Sequence, residues 1–372
     1  MTINFNWAVV VLGVIIAQGL LASVLLLIKP DNKTANRFLG LLVLVFSLWL
    51  CDSFFNVSGI YRTDPNFYFW PIYYSLAFGP LVYFFTKSLV RKDFVFRAVD
   101  WWHFVPVFIQ AVLYIVLRLG TYPDRRWFWL EVHKPYTYNL EFNLSLISLV
   151  LYSFIAIRLV RRYQVWIRNE YSEISTINLK WLYQLFVGMA FLSVLWLGEA
   201  LLRTFTAYHT GLMIITIPMG LLVLFMAVGG LLQKAIDGGD TEAPQIIKKP
   251  QEYNAALLQK VVEQMEAHQF YLDPELTLSS FAEAIGARKR LVSHCINFGL
   301  QIPFIDFVNQ YRIKEFQRLV DQAAADKYSL LGLAIESGFN SKSTFNRVFK
   351  KSMGISPSEY RAKQQRSLPN SS

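Results

Sequence analysis

Ala334-Ile335-Glu336-Ser337-Gly338, followed by Phe339-Asn340-Ser341-Lys342-Ser343-Thr344-Phe345, repeats a pattern that starts 52 residues earlier as Ala282-Glu283-Ala284-Ile285-Gly286. Beyond the glycines the two copies keep step at an offset of 53: Val292 answers Phe345, Ile296 answers Phe349 and Phe307 answers Tyr360. The one-residue change falls in the turn, where an insertion disturbs packing least. Each Ala-x-x-x-Gly opens a short, basic, amphipathic stretch. A helix-turn-helix needs a small residue where its helices nearly touch and a turn residue tolerant of φ > 0. Ala282 and Ala334 supply the first, Gly286 and Gly338 the second. The pattern predicts two helix-turn-helix units in tandem.

In such a unit the second helix buries one stripe and projects the other, the geometry that enters a major groove. The first copy buries Val292, Cys295 and Ile296 and projects Arg290, Ser293 and His294. The second buries Phe345, Val348 and Phe349 and projects Lys342, Ser343, Thr344, Asn346 and Arg347. Between the copies, 304 to about 320 reads as a longer helix that sets their separation. About 34 Å between the two reading helices would place them in successive major grooves. Upstream, 252–268 reads as a helix with Leu257, Leu258, Val261, Val262 and Met265 on one side, and Thr277 or Ser279 is positioned to cap the helix 280–285. From Arg288 to the end the chain has 14 Lys/Arg against 6 Asp/Glu, a balance suited to a polyanion.

The stretch 276–361 resembles the DNA-binding domain of AraC/XylS-type transcription regulators. The likeness is carried by Leu276-Thr277-Leu278, Phe281-Ala282-x-x-Ile285-Gly286, Phe304-x-Asp306-Phe307-x-Asn309-x-x-Arg312, the run 334–351, and Gly354-Ile355-Ser356-Pro357-Ser358-Glu359-Tyr360-Arg361. Carried over by position, the resemblance implies base reading by Arg290, Ser293 and His294 in the first unit, and by Lys342, Ser343, Thr344 and Arg347 in the second. Asn346 projects from the same face. Arg347 suits guanine and Thr344 a thymine methyl, while Lys350 and Lys351 suit phosphate. Two positions depart from the family pattern: Arg288 stands where a capping Ser or Thr is usual, and Gln301 stands where the second unit has Gly354.

Working outward, the rest of the chain is written for another solvent. Overall 54% of residues are hydrophobic and 17% charged, against about 25% charged in ordinary soluble proteins. The imbalance sits in residues 1–233. Seven stretches have the ~20 apolar residues that cross a bilayer: 7–28, 38–57, 67–90, 101–119, 140–160, 181–202 and 212–232. Trp101, Trp102, Trp127, Trp129, Tyr136, Tyr138 and Trp181 fall near their ends, as interfacial aromatics do, and Pro71, Pro80 and Pro218 fall inside them. No Lys or Arg precedes the first run, which therefore reads as an uncleaved span. Seven spans with the regulator-type tail resemble membrane-anchored members of the same family. The expected fold is all-α: a seven-helix transmembrane bundle (1–233), a cytoplasmic linker interrupted by Gly238-Gly239, Pro244 and Pro250 (234–251), and a soluble AraC-type domain (252–372).

Loop charge sets the orientation. One set of alternate loops carries Lys29, Lys33, Arg37, Lys87, Arg91, Lys92, Arg97, Arg158, Arg161, Arg162, Arg168 and Lys180, and the other only Arg62, Arg118, Arg125, Arg126, Lys134 and Arg203. The positive-inside rule then puts the N-terminus outside and the tail in the cytoplasm, where DNA is. The implied compartment is a bacterial inner membrane.

Within the spans Asp52, Gln110, Asn143, Gln184 and Glu199 are polar, with His103 near an end. Glu199 belongs either to an intramembrane sensor pocket or to a pair with Arg203 one turn on; the shared helix face favours the pair. The stretch 212–232 lacks a lysine, which excludes a retinal Schiff base. The five histidines and two cysteines show no metal-ligand spacing, apart from a remote juxtaposition of His133 and His209, and Cys51 and Cys295 suit no disulfide. No catalytic constellation and no cofactor motif appears. The expected partners are promoter DNA, the bilayer, a small-molecule or membrane-derived signal, and a second copy of the chain. The competing reading is a receptor or transporter with a protein-interaction tail, which lacks a visible inverted repeat. The linker reaches at most about 60 Å extended and about 23 Å as a coil, so DNA must come to the membrane.

Overall fold

The computed structural model describes residues 6–64, 67–91, 93–174, 179–206, 213–233, 254–322 and 328–367. The proposed linker 234–251 and His209 lie outside the described residues, as does the side chain of Arg203 expected opposite Glu199. Contacts divide the chain into two units: Met1–Arg162 with Leu179–Asp240, and Tyr163–Asn178 with Thr241–Ser372. Among the described residues both are helical, with no β-strand.

Six helices among the described residues are long and apolar enough to cross a membrane, all in the first unit except that Tyr122–Glu170 runs on past Arg162 into the second: Trp7–Ile28, Lys33–Val57, Ala98–Leu119, Tyr122–Glu170, Lys180–Leu202 and Ile214–Leu232. Trp7–Ile28 starts where Asn6 accepts a hydrogen bond from the Val9 amide, and it packs on Lys33–Val57 and on Met213–Leu232. Phe46 stacks on Phe78 with ring centroids 4.0 Å apart. Only 11% of the 18-residue apolar window in Ala98–Leu119 is buried. An apolar helix that leaves most of its surface uncovered suits a non-aqueous neighbour.

The expected span 67–90 is shortened to the helical stretch Ser75–Val90. Apolarity persists through 67–74, but Phe69 takes a left-handed φ of 57°, which a bulky side chain rarely adopts. Trp70 next precedes Pro71, and a residue before proline is driven out of the helical region. Lys289–Gly299 with Phe304–Gln322 also has the length and apolarity of a span when taken together. The pair is bent by 71° and buries Arg312 in the second unit, so it is no membrane candidate.

Lys29 does more than mark a loop. Its Nζ donates to the carbonyls of Gly230 (3.1 Å), Leu231 (2.8 Å) and Gln233 (2.8 Å), satisfying the last carbonyls of the final apolar helix where a cation is favoured. Trp181 Nε1 donates to Gln233 Oε1 at 2.6 Å. Inside the bundle, Glu141 accepts from Tyr114 (2.8 Å) and Gln110 (3.4 Å). The polar positions read from the sequence omitted this carboxylate.

In the second unit Ala255–Ala267 is capped by Asn254, and Phe304–Gln322 spans two cores. Its first half, through Phe304, Phe307 and Val308, joins the core of Val261, Met265, Phe281, Ile285, Val292 and Ile296. Its second half, through Ile313, Phe316 and Val320, joins Leu333, Phe339, Phe345, Val348 and Phe349. One helix thus holds both repeats.

Candidate nucleic-acid interface

The repeated Ala-x-x-x-Gly is a helix-ending hydrogen-bond pattern made twice. The Ala287 amide donates to the Ala282 carbonyl (2.9 Å) and the Gly286 amide to Glu283 (3.0 Å). In the second copy Phe339 donates to Ala334 (3.0 Å) and Gly338 to Ile335 (2.9 Å). These are the paired bonds of a Schellman motif, whose penultimate residue must be left-handed. Gly286 has φ 65° and Gly338 φ 90°. The spacing of four is therefore fixed by backbone bonding, while the 1% and 0% exposure of Ala282 and Ala334 reflects helix contact.

The first unit comprises Leu278–Ala284 and Lys289–His294, extended by a wider turn at Cys295–Gly299. Thr277 caps the first helix reciprocally with Ser280, settling the choice between Thr277 and Ser279. The second unit comprises Leu330–Glu336, capped by Ser329, and Lys342–Met353, capped by Ser341 and closed by left-handed Gly354. The Ser341 hydroxyl accepts from the Thr344 amide at 3.2 Å, whereas Arg288, at the equivalent place, makes no side-chain cap bond.

Gln301, in the position of Gly354, keeps the left-handed backbone at φ 57°. An L-residue pays about 1–2 kcal/mol there. Gln301→Gly is expected to stabilise this unit by about 1 kcal/mol, seen as a higher unfolding midpoint; no shift would mean that the side chain offsets the backbone cost.

The residues expected to project are distributed unevenly. Lys342, Ser343, Asn346, Arg347, Lys350 and Lys351 are exposed, as is Arg290. Lys351 Nζ lies 3.6 Å from Asp306, an exposed pairing of little strength. Ser293 is half-buried and receives a bond from Asn297 at 3.1 Å. His294 is half-buried too: its ring stacks on Phe298 at 4.5 Å, and its Nε2 is covered without a hydrogen-bond partner among the described residues. Thr344 does not project in this structure. It is 4% exposed, and its hydroxyl donates to Glu173 Oε1 at 3.2 Å. The sequence reading missed Glu170 and Glu173; their signal was a pair of carboxylates ending a loop otherwise rich in arginine. Among the described residues no group of three or more His, Cys, Asp or Glu could hold a metal ion.

Two helix-turn-helix units joined by one helix define the class, an AraC-type helix-turn-helix domain at the C-terminus. Residues 281–363 match the protein-family model described as "Helix-turn-helix domain". The chain is also 27% identical over 118 residues to the Escherichia coli (strain K12) protein named "Putative HTH-type transcriptional regulator YkgA", a match covering 32% of this chain and 48% of that one. The chain thus spans about half the length of the curated relative it matches. No solved structure matches it.

Proposed function

We propose that this protein is a membrane-embedded, one-component transcription regulator, in which the apolar helices receive a signal and the C-terminal unit binds promoter DNA. The observation that carries the reading is the coexistence, in one chain, of an AraC-type helix-turn-helix domain and six helices long and apolar enough to cross a membrane. The loop-charge asymmetry supports a cytoplasmic tail, and the composition suits a bacterial inner membrane.

Arg290, Ser293 and His294 in the first unit, and Lys342, Ser343, Asn346 and Arg347 in the second, face base edges in this reading, joined by Thr344 once its hydroxyl is released from Glu173. Lys350 and Lys351 face phosphate. A guanidinium is bidentate to guanine and a lysine acts as a point charge. Glu199, buried in its helix, takes part in the sensor. A second copy of the chain binds the other half of a two-part operator.

Crosslinking of the full-length protein to DNA in cells, followed by sequencing, tests the reading, and recovery of no enriched sites would end it. On a recovered site Arg347→Ala is expected to cost about 1–3 kcal/mol and to relax the preference at one base pair. Lys350→Ala should instead weaken all sequences alike and reduce the salt slope by about 0.9. An Arg347→Ala protein that binds every site as wild type does would remove this residue from the interface.

A further inference from the structure

We infer that residues 168–174 cover the edge of the DNA-binding face where Lys289 and Thr344 lie and act as an intramolecular competitor, so that docking of this segment and full binding of DNA exclude one another. The inference rests on the DNA-binding reading above and adds its regulation. The segment is the end of the helix Tyr138–Glu170 and the first residues beyond it, and it belongs by contacts to the second unit.

It touches both repeats and the helix that joins them. Glu170 pairs with Lys289 at 2.7 Å and accepts from the Ser279 hydroxyl at 2.6 Å. Tyr171 forms an antiparallel bridge with Thr277, and the Ser172 amide donates to the Leu276 carbonyl at 3.1 Å. Arg312 donates to the Ser172 carbonyl (3.3 Å) and hydroxyl (3.0 Å). Arg168 reaches Asp306 at 3.1 Å, and Glu173 accepts from Thr344 at 3.2 Å.

Burial shows that this is a seated segment: Glu170 is 6% exposed and Ser172 1%. Lys289 begins the second helix of the first repeat, and Thr344 lies in the first turn of the corresponding helix of the second. The N-terminal residues of these helices are the ones that meet base edges in a helix-turn-helix complex. A base cannot reach the hydroxyl of a residue that is buried and whose hydroxyl is already committed to a carboxylate. Glu170 and Glu173 therefore hold lysine and hydroxyl groups that DNA would otherwise engage.

The energetic consequence is a population tax: apparent DNA affinity falls by the fraction of molecules with the face uncovered. Because the segment continues a helix whose earlier residues belong to the other unit, a signal acting on that helix has a covalent route to the DNA-binding face.

The test uses the full chain in lipid nanodiscs and sheared genomic duplex at fixed low salt. Glu170→Ala with Glu173→Ala is expected to tighten binding by about tenfold, the docked state being the one removed. Glu275→Ala with Glu283→Ala, two exposed carboxylates of the same unit, should leave binding unchanged. Equal binding by wild type and the 170/173 variant overturns the inference and leaves the regulator reading standing. An equal gain in both double variants also overturns it, because net charge would then explain the effect. If neither variant nor wild type binds any duplex, the regulator reading falls and the inference falls with it. A second measurement needs no variant: saturating wild type with duplex should speed hydrogen exchange of the amides at 171–174. Retained protection with DNA bound overturns the inference.

Discussion

Gly338→Ala is expected to collapse the second helix-turn-helix unit, while Gly286→Ala at the matching position costs only about 1 kcal/mol. Both glycines are left-handed, at φ 90° and 65°, and each alanine carries the ~1–2 kcal/mol of that conformation. The difference lies in space. A Cβ on Gly286 meets nothing within 4 Å, whereas one on Gly338 would strike the Tyr271 carbonyl oxygen, with Leu272 Cα at 3.0 Å and Arg312 Nε at 3.1 Å. Two of these are backbone atoms, and the third belongs to a side chain held by four hydrogen bonds. Nothing nearby can give way cheaply. The total loss should exceed about 3 kcal/mol, strain and overpacking together, read as lost exchange protection across Leu330–Met353. Equal protection in the two variants would mean that the turn, rather than its neighbours, sets the requirement.

That contrast indicates how much of the domain was legible. The Ala-x-x-x-Gly spacing could be read because a Schellman turn fixes its own register in sequence. The buried stripes of both reading helices were legible for a similar reason: helical period places Val292, Ile296, Phe345 and Phe349 inward whatever they pack against. The unequal roles of the two glycines were hidden, because Gly338 is constrained by Tyr271 and Leu272, far away in the chain. Gln301 was recognised as the odd residue at a glycine position, but only the backbone shows that it keeps the left-handed conformation.

The apolar half was legible in six of the seven expected stretches, since length and hydropathy suffice for helices such as Trp7–Ile28. It failed at 67–74, where hydropathy continues through residues whose backbone leaves the helix. The deeper failure was at 168–174. As sequence, this stretch is a cytoplasmic loop judged by its arginines. Its fold depends on partners more than 100 residues away, such as Ser279 for Glu170, and no local pattern announces a pairing at that distance. Thr344 accordingly looked like a projecting residue, whereas its hydroxyl is bonded to Glu173 of that segment.

Arg312 is where these threads meet, and Arg312→Ala is expected to be the second most damaging change. The side chain is fully buried. Its Nε donates to Tyr271 O at 2.8 Å, Nη2 to Asp273 O at 2.7 Å, and the two Nη atoms share the carbonyl and hydroxyl of Ser172. The guanidinium also lies 5.9 Å from the centre of the Phe339 ring, the residue that completes the second Schellman turn. Burial lowers its pKa to about 10, against the opposing pull of Glu173 and Asp273, so it stays charged at neutral pH. Removing it leaves buried carbonyls without donors and a cavity beside Gly338, a loss on the order of 3–5 kcal/mol. Arg312→Lys should recover less than half of this, because one ammonium cannot span acceptors that a planar fork reaches at its separate nitrogens. Pulse proteolysis of the full chain in nanodiscs, with fragments mapped to 254–367, measures both. A lysine variant as resistant as wild type would show that charge alone suffices there and that the fork does not join the repeats. If lysine fails as expected, the guanidinium both ties the joining helix to the second repeat and seats Ser172. Fold and docked segment then share one side chain: departure of the segment costs Arg312 its two bonds to Ser172, while those to Tyr271 and Asp273 stay within the remainder of the domain.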